Sequence, residues 1–232
     1  MAACMAAMTF AACIEAPANP DNGGGDNGGD DGGVSGKRVK SELITDADGK
    51  TQKGDYTYNN DGMLVRIDWK YSWTSAKIYD VFTNNSDGTT AKWENYNEYG
   101  NQVLTYSYDS NKKPIKATGT ITNSEGTVPV TYDITWQNGR QTRQVMKMRS
   151  GSSSITVTWD INYDSNGKRT FSTETHSTAG VRKYTRTYNS DGTVQKVIVD
   201  SYSKYTGTGF TQAFTWESGK IAVNYLDDYY QY

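Results

Sequence analysis

Residues 56–73 read YTYNNDGMLVRIDWKYSW, and this stretch decides the fold. Asn59-Asn60-Asp61-Gly62 has the chemistry of a three-residue hairpin loop. The Asn side chain caps the turn, two residues adopt a type I turn, and Gly supplies the left-handed position of a bulge. Beyond it, Met63, Val65, Ile67, Trp69, Tyr71 and Trp73 share one face of an extended chain, with Arg66, Asp68 and Lys70 opposite. Such alternation means a strand with one buried face and one wet face.

Working outward, close variants of the turn recur at Asp46–Gly49, Asn85–Gly88, Asn97–Gly100, Asn123–Gly126, Asp164–Gly167 and Asn189–Gly192. Shorter turns stand at Asn138-Gly139 and Ser218-Gly219, and the spacing calls for weaker ones near 73–76, 109–112, 150–153, 177–180 and 205–208. The alternation returns in Val128, Val130, Tyr132, Ile134 and Trp136, and in Ile155, Val157, Trp159, Ile161 and Tyr163. No helical periodicity competes with it. The expectation is all-β: a long antiparallel up-and-down meander of about fifteen strands over residues 37–232, forming a flattened or barrel-like sheet. Strands near 50–58, 168–176 and 181–188 are more polar and are expected where the apolar face is less covered.

Composition narrows the chemistry. The 232 residues include one histidine, His176, and two cysteines, Cys4 and Cys13. A His-rich metal site is excluded, and beyond residue 13 so are disulfides, Cys-ligated zinc and thiol nucleophiles. No apolar stretch is long enough for a membrane-spanning helix. The five acids of residues 1–36 face no Lys or Arg, which leaves 24 basic and 21 acidic side chains in the remaining 196 residues. No dense basic face suggests nucleic acid as a partner. No cofactor is expected.

Residues 1–12 are small and apolar and read as a lipoprotein signal peptide. Phe10-Ala11-Ala12-Cys13 resembles a bacterial lipobox, in which the Cys is acylated after cleavage; Phe10 stands where Leu is usual, and no Lys or Arg precedes the run. Residues 13–36 are rich in Gly and Asp and cannot bury enough apolar surface to order themselves. As a Gly-rich coil, residues 14–36 would reach roughly 25–29 Å, which suits a tether. The acidic residues soon after the Cys resemble the surface-export signals of Bacteroidetes lipoproteins.

Tyr56–Gly62, Tyr106-Ser107-Tyr108-Asp109 and Thr187–Gly192 resemble the tyrosine–aspartate hairpin repeats of Rhs-type shells. The whole arrangement of lipobox, tether and hairpins is similar to a Bacteroidetes family of uncharacterised lipoproteins with a porin-like β-barrel fold. These are turn motifs, so the resemblance implies a fold and carries no catalytic residue.

Two directions remain open for the aromatic face: into a core, or toward lipid around a pore. Low mean hydropathy and residues such as Lys50, Gly54 and Asp55 favour the first. Asp160, Glu174, Asp200 and Glu217 are the carboxylates a glycosidase could pair, but a solvated strand face explains them as well. Arg182 and Arg186 flank Tyr184 at period two, as a cross-strand Arg–Tyr ladder would. Tyr202, Tyr205, Tyr229, Tyr230 and Tyr232 fall outside the alternating core pattern and are the candidates for a surface platform that stacks on sugar rings. The functional expectation is a non-enzymatic cell-surface binding or scaffold lipoprotein at the outer-membrane periphery. It would be anchored in the membrane through Cys13, with a glycan or another envelope polymer as partner. An outer-membrane pore and a glycan-active hydrolase are the alternatives.

Overall fold

A computed structural model describes residues 34–98, 100–150, 152–165, 167–204 and 209–221. Fourteen strands follow one another: β1 (Val34–Asp46), β2 (Thr51–Tyr58), β3 (Leu64–Tyr71), β4 (Ile78–Asn84), β5 (Thr90–Asn97), β6 (Gly100–Tyr108) and β7 (Pro114–Asn123), then β8 (Gly126–Gln137), β9 (Arg140–Ser150), β10 (Ser153–Tyr163), β11 (Arg169–His176), β12 (Gly180–Tyr188), β13 (Val194–Val199) and β14 (Phe210–Ile221). Each pairs antiparallel with its sequence neighbours, and β1 pairs with β14, so the meander closes into a barrel. β1 begins at Val34, inside the segment read as tether. There is no helix among the described residues.

The expected count of about fifteen strands included a turn at Ser218-Gly219. These residues instead lie within β14, opposite Lys37 and Gly36 of β1. Closure explains the difference: β14 runs on because a partner strand is there to pair with it.

The Asn- and Asp-led turns form as their chemistry dictates. Asn59 Oδ1 accepts from the backbone N–H of Asp61 and Met63 at 3.0 and 2.9 Å, and Gly62 N donates to the Asn59 carbonyl at 3.0 Å. Gly62 has φ 81°, the left-handed region where a side chain is costly. The register slips by one residue beside this turn, between Thr57 and Tyr58, which marks the bulge.

The aromatic face points inward. Ile67 and Trp69, Val130 and Tyr132, and Val157, Trp159 and Ile161 are all buried, whereas Lys53, Asp133, Lys147 and Asp160 stand outside. A barrel of about eight strands is filled by ordinary side chains, and wider ones tend toward a lumen. Here large residues, Trp69, Trp93, Trp159, Tyr106, Tyr132 and Tyr184, occupy the extra width. Gly54 belongs to this packing: a Cβ there would come within 3.1 Å of the Trp69 indole that lies across it. Trp73 departs from the alternation, since it lies beyond the end of β3 and is 40% exposed.

Contrary to the expectation from sequence, the more polar strands are not less covered. Gln52 of β2, Arg169, Ser172 and Glu174 of β11, and Arg186 of β12 are all buried. Alternation sends a polar residue inward as readily as an apolar one once register is set by neighbours. β11 contributes no residue to the apolar cluster, and its inward positions are polar.

Candidate functional site

The two rims of the barrel differ. Both described ends of the chain, Val34 and Ile221, lie at one rim, with the turns at 59–63, 85–89, 109–113, 138–139, 164–168 and 189–193. The other rim carries the turn near 47–50, the connection between β5 and β6, the connection 72–77 and the connection that leaves β13 at 200. Antiparallel connectivity alone produces this division.

At the terminal rim a residue of every even strand, at or next to its end except for Trp216 within β14, donates a hydrogen bond to a backbone carbonyl of the odd strand before it. Tyr58 bonds Val39 (2.8 Å), Asn84 bonds Leu64 (3.0 Å), Tyr108 bonds Thr90 (2.6 Å) and Trp136 bonds Pro114 (2.8 Å). Tyr163 bonds Gln141 (2.9 Å), Tyr188 bonds Arg169, and Trp216 bonds Val194 (2.9 Å). Each bond ties one terminal-rim hairpin to the hairpin before it. β14 and β1 take the place of a hairpin where the chain enters and leaves. The result is a closed ring of side-chain-to-carbonyl stitches. Cations cover several of these rings: Arg38 lies over Tyr58, Lys113 over Trp136, Arg140 over Tyr163 and Lys168 over Tyr188.

Between the rims the barrel encloses two carboxylates. Glu42 of β1 accepts hydrogen bonds from the Tyr56 hydroxyl (2.8 Å) and the Gln212 amide. Burial pushes its carboxyl up to about 8, against the pull of those two bonds, and the charge of Asp80 adds to the rise. Asp80 of β4 accepts from the indoles of Trp69 (2.6 Å) and Trp93 (3.0 Å) and from Asn95 (2.8 Å). Burial raises it too, to about 6, although these donors and Arg66 act the other way. The sequence reading missed both groups. Glu42 falls after the register shift between Val39 and Ser41 in β1, so counting by twos along the chain does not place it inside.

At the opposite rim Glu174 is the hub. Its buried carboxylate accepts from Arg182 Nε (2.8 Å) and from the hydroxyls of Tyr184 and Tyr202. Arg182 lies over the ring of Tyr184, its neighbour within β12, at 5.2 Å, and over that of Tyr202, from the β13–β14 connection, at 4.3 Å. His176 meets Tyr202 edge-on at 5.8 Å. Burial lowers the His176 pKa, Arg182 acts in the same direction and Glu174 opposes them. This imidazole is half-buried.

Of the platform candidates, Tyr202 is half-buried with one face under Arg182. Tyr205, Tyr229, Tyr230 and Tyr232, like Cys13 and residues 1–33, lie outside the described residues. The glycosidase carboxylates do not come together as a set. Asp160 lies 3.6 Å from Arg143 and Glu217 accepts from Arg38 at 3.0 Å, while Glu174 is buried and Asp200 exposed. No grouping of His, Cys, Asp and Glu suited to a metal ion occurs among the described residues.

Fold and rims together define a closed all-β barrel with a packed aromatic interior and a charged outer wall. No family model matches the chain, and no curated protein matches it. Among solved structures it is similar to a porin-like protein from Bacteroides uniformis ATCC 8492, at 12% identity and a TM-score of 0.49, covering 77% of this chain and 98% of that one.

Proposed function

We propose that the chain is a non-enzymatic envelope lipoprotein, acylated at Cys13, that holds its barrel at the outer-membrane periphery and binds a glycan or another envelope polymer. The direction of the two wall faces carries this reading. Lys53–Asp55, Arg66–Asp68, Lys92–Glu94 and Lys147–Asp133 pair on the outer wall, where a lipid band would have to lie in a pore. Each Lys or Arg turned to mid-bilayer lipid would cost about 2–4 kcal/mol. A barrel facing water needs a separate anchor to stay at a membrane, and Ala11-Ala12-Cys13 with its tether supplies the chemistry for one. Because Val34 enters at the stitched rim, the opposite rim is the one turned away from the anchor. An outer-membrane pore is the second reading: the closed, even-stranded barrel favours it, and the charged wall and packed interior weigh against it.

Labelled palmitate incorporation in the native host tests the anchor. Label on the wild type and none on Cys13→Ser is expected; label persisting in the variant removes the lipidation claim. Partition of the acyl-free barrel into buffer without detergent is expected for the tethered reading. Conductance steps in planar bilayers would overturn it in favour of the pore.

A further inference from the structure

The opposite rim carries an aromatic platform that the alternation pattern conceals. Trp69 is buried, Tyr71 is half-buried and Trp73 is exposed, so the three rings lead from the barrel interior to solvent. Trp69 meets Tyr71 edge-on at 6.5 Å, and Tyr71 meets Trp73 at 4.8 Å with the planes tilted by 41°. Trp73 is therefore backed by a packed ring, which in turn rests on the core. An exposed indole held this way loses little conformational freedom when a ligand covers it.

A polar chain starts at the next residue. Thr74, the next residue after Trp73, donates its hydroxyl to Glu98 Oε2 at 3.0 Å and accepts from the Ala76 N–H at 3.1 Å. That bond fastens the β3–β4 connection to the β5–β6 turn, whose preceding residue is Asn97. Asn97 Nδ2 donates to Asn95 Oδ1 at 2.6 Å, and Asn95 Nδ2 donates to Asp80 Oδ1 at 2.8 Å. Asp80 also accepts the Trp69 indole N–H, so the polar chain and the aromatic chain meet at one buried carboxylate. Trp69 at the base of the aromatic chain and Asn97 at the end of β5 are thus tied to the same group.

From this arrangement we propose that Trp73, backed by Tyr71 and followed by Thr74 with its Glu98 partner, is a binding site for a neutral sugar ring of a glycan chain. The C–H face of a pyranose covers an indole, and its hydroxyls hydrogen-bond polar groups at the ring edge. The Glu98 carboxylate beside the platform disfavours acidic sugars by like-charge repulsion. This proposal rests on the binding reading above and places its site on β3–β6. Tyr202 sits instead in the Glu174 cluster on the far side of the strand order.

The test is affinity electrophoresis of the full chain in native gels cast with neutral polysaccharides, namely starch, hydroxyethylcellulose, xylan, galactomannan and dextran. At least one is expected to retard the wild type. Trp73→Ala should lose on the order of tenfold in affinity, the scale of one aromatic contact, and Trp73→Phe should retain part of it. Trp73 is exposed, so an unchanged urea midpoint for Trp73→Ala is expected and shows that the loss is local. Wild-type retardation that survives Trp73→Ala overturns the site and leaves the binding reading standing. No retardation by any of the five polysaccharides overturns both.

Discussion

The pair Glu42 and Asp80 should give this barrel an inverted pH dependence of stability. The Glu42 carboxyl rises from 4.5 to about 8 on folding, with burial as the leading cause. A raised acid holds in the folded state a proton that the unfolded chain has already released. Its stabilisation is complete below the unfolded value and is lost as the pH climbs through the folded one. For Glu42 alone the loss between about pH 5 and about pH 7 is about 2–3 kcal/mol, at about 1.4 kcal/mol per pKa unit. Asp80, raised from 3.8 to about 6, has the same sign in a lower window. The two groups interact, so the titration belongs to the pair. Opposing them, exposed Asp87 and Asp191 are lowered, by Thr89 and by Lys37 and Thr193, and their contribution disappears only under more acidic conditions. The substitution that isolates the effect is Glu42→Gln. The new carboxamide keeps an oxygen for the Tyr56 hydroxyl. Gln212 Oε1 has no hydrogen-bond partner, so rotation of that amide lets it accept the new N–H. Urea unfolding followed by tryptophan fluorescence, from about pH 5 to about pH 8, is the assay. The wild type should lose stability across that range. Glu42→Gln should flatten the curve and be the more stable protein at its alkaline end by about 3–4 kcal/mol. Wild-type stability that rises over the same range, or a variant weaker than wild type at about pH 8, would refute the reasoning.

Tyr108→Phe removes one stitch of the terminal rim and leaves the Thr90 carbonyl without its donor; a loss of about 1 kcal/mol and a drop in Tm of about 2–4 °C are expected by calorimetry. Arg182→Met strands the buried Glu174 carboxylate and should cost about 3–5 kcal/mol, while adding Glu174→Gln should restore much of it in a double-mutant cycle. Lys112 has φ 62° at the position that Gly62, Gly88 and Gly192 fill in sister turns. Lys112→Gly should therefore stabilise by up to about 1 kcal/mol in urea, with the Lys112 bond to the Asp87 carbonyl as the loss to be set against it.

The residues themselves determined the hairpins. Asn59, Asp61 and Gly62 act within a few bonds of one another, so the turn forms from local chemistry and each strand's alternation follows from the pleat. They also determined the tendency of Val130, Tyr132 and Ile134 to share a face, because that face is a property of one strand. Closure was not legible: whether β14 pairs with β1 depends on the accumulated twist and stagger of all fourteen strands, and Ser218-Gly219 reads as a turn until β1 lies beside it. Nor could the sequence place Glu42, Asp80 or Glu174. A bulge shifts the inward set by one residue, and a carboxylate turned inward survives only because Tyr56, Trp69, Trp93, Arg182 and Tyr184 arrive from other strands to meet it. The period of two assigns a residue to a face, whereas its partners across the barrel are fixed by register, and register belongs to the closed sheet as a whole.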